Sequence, residues 1–149
     1  MINPMPSTNL PDTMVQDQPQ PHEQITGLGK GAAIKVLDGS VICDYRMVNH
    51  MKQVAERNSI PWQLEILPKG GTDTGNIQRF AQNGVIVGAV SIPLRHIHQT
   101  IEMASKSDIR HCIDLLKSTL LELDTYNWSF DNVDGSKKAT EPNDWESWL

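Results

Sequence analysis

Cysteine is nearly missing from this chain: Cys43 and Cys112 are the only two in 149 residues. Without a CxxC spacing they exclude a disulfide framework. Basic residues are in deficit, 13 Lys and Arg against 18 Asp and Glu, and no basic block occurs. Phosphate neutralisation needs clustered Lys and Arg, so a nucleic-acid partner is not expected. No apolar run approaches the roughly 20 residues of a membrane span. No charged segment followed by an apolar one marks a signal peptide near Met1. The expectations are therefore no nucleic acid, no membrane and a cytoplasmic setting.

What is present is unevenly spread. Residues 1–24 hold five of the nine prolines and four glutamines but no Lys or Arg, and 126–149 hold three of the four tryptophans. The net charge is −3 over 1–24, +1 over 25–125 and −3 over 126–149. This predicts an extended or disordered lead-in, one folded body over 25–125, and a disordered acidic Trp-bearing tail.

Within the body, Ala32 to Leu37 reads as a strand after a glycine-rich turn. Asp44 is placed to cap a helix over 45–58, where Met47, Val48, Met51, Val54 and Ala55 form one apolar stripe. Trp62, Leu64 and Ile66 alternate with Gln63 and Glu65, the pattern of a strand with an apolar buried face. Thr72 or Asp73 caps a helix to about Asn83, with Ile77 and Phe80 facing in and Gly84 as the C′ glycine. Val85 to Ile92 is apolar on both faces, as in a central parallel strand of a βαβ unit. Ile109, Ile113, Leu116, Leu120 and Leu123 predict a core stripe on a last helix over 107–124. The fold class is α/β.

Candidate chemistry follows the strands. His96 and His98 come after the apolar strand, two apart and so on one side of an extended segment. They are either metal ligands or ordinary surface histidines. Gly70-Gly71-Thr72-Asp73 opens a helix, where amides could hold an anion or substrate carboxylate, or where the residues simply make a turn and a cap. Gly27-Leu28-Gly29-Lys30-Gly31 is too short for a phosphate loop and has no Ser or Thr after the lysine. Cys43 and Cys112 read as small hydrophobes. Trp128, Trp145 and Trp148 could dock on a partner or on this chain itself, or belong to a sticky disordered tail.

Three runs, LGKGAAIKVLDGSVICD (Leu28–Asp44), IPWQLEILPKGGTDTGNIQ (Ile60–Gln78) and GVIVGAVSIPLRHIHQTIEM (Gly84–Met103), occur in one order with characteristic gaps. Together they resemble the C-terminal part of the dinuclear metallo-aminopeptidases of the glutamyl-aminopeptidase and cellulase-M (endoglucanase-like) type, TET peptidases included. The resemblance implies part of a three-layer α/β metallopeptidase catalytic domain. It also implies peptide substrates and a bridged pair of divalent ions, zinc or cobalt, that activate water beside a carboxylate base. By resemblance His98 is a metal ligand, Asp12 stands near a ligating aspartate, and Gly70, Gly71, Thr72 and Asp73 border the substrate cleft. Asp17-Gln18-Pro19 matches the end of the aspartate segment.

This chain departs from the family pattern at His96, where the family has Tyr, and at Gln20, where it has Gly. No adjacent glutamate pair occurs. The other ligands, the base and the oligomerisation insert lie N-terminal to this region in the family, so no catalytic residue is assigned here. Two classes remain: an aminopeptidase portion that needs a complementing chain or a homo-oligomer, and a non-catalytic binding or assembly module of the same descent. In a complete member other elements would cover Trp62–Leu67 and Val85–Ile92, so exposed apolar surface and a strand edge are expected.

Overall fold

The run after the glycine cluster forms β1 (Ala32–Asp38) in the computed structural model, which describes residues 25–130 and residue 132. Gly31 begins it in the left-handed region, φ +97°, where an added Cβ would lie 2.1 Å from the Pro61 carbonyl oxygen. Only glycine permits that approach, and it lets Ala32 N–H donate to Pro61 O at 3.0 Å. Asp44 caps α1 (Tyr45–Arg57) as expected, accepting from the Arg46 amide at 2.9 Å. Val48, Met51, Val54 and Ala55 of α1 pack with Ala32 and Ile34 in the core.

β2 (Trp62–Leu67) runs parallel to β1, with Ala32 opposite Trp62 and Lys35 opposite Glu65. The βαβ unit is therefore β1–α1–β2. At the centre of β2 the predicted burial is reversed: Glu65 is buried, and Leu64 and Ile66 are exposed. Lys35 supplies the reason. Its Nζ lies 2.7 Å from Glu65 Oε1 and 3.8 Å from Asp38 Oδ2, all three residues being buried. A buried charge needs a paired partner, and the register puts Glu65 across from it.

Residues 85–92 do not form a central parallel strand. Only β3 (Val90–Ser91) pairs, antiparallel to β1, and the sheet order is β2-β1-β3. Among the described residues β3 has no second neighbour, so the apolar run around it lacks the ladder it was expected to join. A small hairpin follows, β4 (Leu94–Arg95) against β5 (Met103–Ala104).

Two helices also face differently from their sequence reading. α2 (Asp73–Phe80) ends before Asn83 and turns Ile77 and Phe80 outward, Phe80 being 82% exposed. Gly84, φ +75°, closes a separate turn by donating to Ala81 O instead of ending the helix. α3 (Lys106–Leu121) buries Asp108, Cys112, Leu115 and Thr119, and exposes Ile113, Leu116 and Leu120. The buried stripe is displaced by one residue, about 100° round the helix, from the predicted one. Asp108 orients it. Its carboxylate accepts from the amides of Gly29 at 2.6 Å and Gly31 at 3.0 Å, which ties the first turn of α3 to the start of β1.

After α3 the chain makes a 3₁₀ turn (Leu123–Thr125) and crosses α1. The Tyr126 ring lies 4.4 Å from the buried His50 ring, and the Trp128 ring 5.4 Å from it. Arg46 donates to Trp128 O at 2.9 Å and covers the Phe130 ring at 4.1 Å. Residues 126–130, expected to belong to a disordered tail, instead pack on α1, and Trp128 docks on this chain's own surface. Trp145 and Trp148 lie outside the described residues.

Candidate functional site

The loop before α2 is held from below by the end of β1. Gly39 N–H donates to Gly70 O at 2.7 Å, and a Cβ on Gly39 would lie 2.5 Å from that oxygen. Thr72 is the N-cap residue of α2 by position, yet its hydroxyl does not cap. It donates to Asp38 Oδ2 at 2.7 Å. The Ser40 hydroxyl and amide donate to Asp38 Oδ1 at 2.7 and 2.8 Å, and the Thr72 amide reaches Ser40 Oγ at 3.3 Å. Arg79 completes the junction by donating to Ser40 O at 2.5 Å.

Asp38 is the hub of this network. Burial pushes its carboxyl up, but the Ser40 and Thr72 hydroxyls, the Ser40 amide and the Lys35 ammonium together hold it below the usual carboxylate range. Gly70, Gly71 and Asp73 remain exposed above this anchor, Gly70 with φ +84°. Capping was the plainer sequence reading for Thr72, and its hydroxyl is instead spent on Asp38.

His96 and His98 are carried on the turn between β4 and β5, and both are exposed. Both have positive φ, 58° and 62°, so the segment turns at each histidine. The expectation that they share one side of an extended run is not met; closing the hairpin requires the reversal. The His98 amide donates to Glu102 Oε1 at 2.6 Å. Among the described residues no three His, Cys, Asp or Glu side chains are grouped to hold an ion. The described residues do not fit a bridged metal pair by themselves. Asp12, the other candidate ligand, lies outside the described residues.

The glycine-rich turn before β1 does bind a negative group, and that group is internal: the Asp108 carboxylate on the amides of Gly29 and Gly31. Sequence reasoning missed Asp108, Asp38 and Ser40, none of which carries a periodic signal. A Ser two residues after an Asp, with a glycine between, was the one available hint of a side-chain-stabilised turn. Elsewhere, a cavity of about 460 Å³ beside the C-terminal segment is lined in part by His50, Arg57, Glu122 and Tyr126, and by none of the predicted site residues. Burial keeps both thiols out of play, Cys43 raised and Cys112 pushed up to about 11.

Comparison with known proteins defines the class first. The chain matches solved α/β aminopeptidase structures. A TET aminopeptidase from a marine sediment archaeon (Thaumarchaeota archaeon) is similar at 30% identity and TM-score 0.68, over 77% of this chain and 34% of that one. The TET1 peptidase of Pyrococcus horikoshii, described as able to assemble into a tetrahedron or a large octahedral shell, is similar at 27% identity and TM-score 0.56, over 62% of this chain and 27% of that one. A putative aminopeptidase of Acetivibrio thermocellus is 46% identical over 104 residues, which is 70% of this chain and 31% of the relative. The family described as M42 glutamyl aminopeptidase matches residues 8–115. The chain belongs to this family and spans about a third of the length of these relatives.

Proposed function

We propose that this chain forms the C-terminal part of the catalytic domain of a metal-dependent aminopeptidase, which removes N-terminal residues from peptides. In this reading the body runs from 25 to 125, with a lead-in before it and an acidic tail after it. The exposed Gly70-Gly71-Thr72-Asp73 loop borders the substrate cleft, and His98 and Asp12 contribute to a divalent ion site, zinc or cobalt. The bridging ligand and the base come from other residues of the family fold. The two buried free thiols suit a cytoplasmic setting.

One observation carries the proposal: the family match runs through both the anchored 70–73 loop and the β4–β5 turn bearing His98. No step of the reaction is assigned to a side chain of this chain.

The test is hydrolysis of an aminoacyl-anilide. The purified chain alone, with zinc or cobalt, is expected to be inactive. Co-expression with a polypeptide carrying the unmatched part of the Acetivibrio relative is expected to give metal-dependent turnover that His98→Ala abolishes. Turnover that survives His98→Ala, or turnover by the chain alone, refutes the assignment. A non-catalytic module of the same descent is the second reading. An upstream reading frame that encodes the missing His, Asp and Glu pair argues for the enzyme over it.

A further inference from the structure

Residues 126–130 meet α1 at Tyr45, Arg46 and His50. Tyr45 Oη donates to Phe130 O at 2.8 Å, and Arg46 donates to Trp128 O at 2.9 Å and covers the Phe130 ring. The Tyr126 and Trp128 rings lie on His50. These are side-chain contacts, which can release without breaking a helix or a strand. The core is built without them: the cluster of Ala32, Ile34, Met51, Val54, Cys112 and Leu115 contains no residue of the segment.

His50, on which the segment rests, is fully buried. Its Nε2 lies 3.2 Å from Thr119 O, a carbonyl that can only accept, so Nε2 carries the proton and Nδ1 is the bare nitrogen. Nδ1 is buried with no hydrogen-bond partner. A second proton therefore creates a charged N–H with no acceptor and no water, a costly group to bury. The Tyr126 and Trp128 rings offer it no lone pair. The charged groups facing His50 are opposed: Glu122 at the end of α3 and Arg57 on α1 are bonded to each other and line one cavity with it. Arg46, beside the same rings, is paired with Asp44. Burial lowers the proton affinity of His50 and Arg57 adds to the lowering, against the pull of Thr119 O and Glu122.

We propose that residues 126–130 are an acid-sensitive strap: they close over α1 only while His50 is uncharged, and acidification releases them while the core stays folded. Closed, the ring resists its second proton; open, Nδ1 meets water and takes one at ordinary affinity. The two events exclude one another, and each pH unit below about 6.5 favours the open strap by up to about tenfold. Release also removes a wall of the cavity beside it, to which Tyr126 and Asn127 contribute.

The experiment follows hydrogen exchange in the full chain by NMR from about pH 7 to about pH 5, the range in which histidine titrates. The Trp128 indole N–H, which donates to Leu123 O at 3.0 Å, reports the strap. The Lys35 amide, which donates to Ala89 O at 3.0 Å, reports the core. Indole protection, relative to free tryptophan, is expected to fall several-fold per pH unit below about 6.5, and Lys35 protection much less. In His50→Gln the pH dependence of the indole is expected to vanish. Because that substitution can loosen the strap by packing alone, a second measurement runs the linkage in reverse. The His50 ring protons are titrated in the unsubstituted chain and in Tyr126→Ala with Trp128→Ala. The titration is expected below the ordinary histidine value in the first, and closer to it in the second. Indole protection that ignores pH in the unsubstituted chain, or keeps its pH dependence in His50→Gln, overturns the proposal. So does a Lys35 amide that loses protection in step with the indole, because acid then unfolds the whole body. A His50 titration that the two alanines leave unchanged overturns it as well.

Discussion

The Thr72 hydroxyl donates to Asp38 Oδ2 at 2.7 Å across 34 residues of sequence, and this bond ties the exposed 70–73 loop to the end of β1. The loop's position therefore depends on a carboxylate that is itself buried and accepts from Ser40 and Thr72 together. Asp38→Asn keeps the shape but loses the charge, and is expected to cost about 1–3 kcal/mol, the range for a charged hydrogen-bonding group left imperfectly paired. Thr72→Val removes one donor and is expected to cost about 1 kcal/mol. Urea unfolding of both variants and of the double variant checks this. Additive effects would show that the two side chains do not work as a unit.

The same carboxylate sets an acid limit. Its folded-state affinity for a proton is below that of an ordinary Asp. Its contribution is then fully present above the unfolded value of about 4 and is lost as pH falls through the lower folded value. A melting temperature that declines below about pH 4 in the unsubstituted chain, and less steeply in Asp38→Asn, is the expected result.

Lys35 and Glu65 face each other across the β1–β2 ladder with both side chains buried. Lys35→Met strands the carboxylates of Glu65 and Asp38 and is expected to cost about 3–5 kcal/mol. Lys35→Met with Glu65→Leu removes the main partner too, and is expected to recover much of that loss. If the double variant is no better than the single one, by urea unfolding, the pairing does not explain why β2 buries Glu65.

β1, α1 and its Asp44 cap could be read directly from the sequence, because their signals are local: a short apolar run, an Asx cap, one stripe at helical period. The orientation of β2, α2 and α3 could not. Periodicity says that one face is apolar, but which face is covered depends on the neighbours. Asp108 lies on the buried side of α3 because two backbone amides 77 and 79 residues away bind it, a long-range fact with no periodic trace. Leu116 and Leu120, one position further along the helix, are left outside as a result. The 70–73 loop was legible from its glycines and from family resemblance, whereas its Asp38 anchor was not.

His50 is fully buried between α1 and the aromatic pair Tyr126 and Trp128, and its Nε2 lies 3.2 Å from Thr119 O. Burial lowers its proton affinity; contact with the Thr119 carbonyl and the nearby Glu122 charge pull the other way, and Arg57 adds to the lowering. A base whose folded value is depressed contributes stability above its unfolded value, about 6.5, and loses it as pH falls toward the folded value. The melting temperature is therefore expected to drop as pH falls below about 6.5, and His50→Gln is expected to flatten that part of the curve. An unchanged slope in His50→Gln would assign the titration elsewhere.

Removing the segment that covers His50 is the sharpest test of what holds the C-terminal end. A chain ending at Asp124 loses the Tyr126 and Trp128 rings over His50 and the Phe130 ring under Arg46, and with them the bonds from Arg46 to Trp128 O and from Tyr45 to Phe130 O. An aromatic pair contributes about 0.5–1.5 kcal/mol beyond the area it buries. Uncovering even 100 Å² of apolar surface adds about 2.5 kcal/mol. Losing these contacts is expected to lower stability by about 3–5 kcal/mol, a large share of the ~5–15 kcal/mol of a whole domain. The pH dependence assigned to His50 is expected to shrink as well, because the ring is then open to water. Thermal unfolding with light scattering on the full chain and on the chain ending at Asp124 measures both effects. The shortened chain is expected to unfold earlier and to self-associate more. Equal melting temperatures and equal masses would show that residues 126–130 rest on α1 without stabilising it.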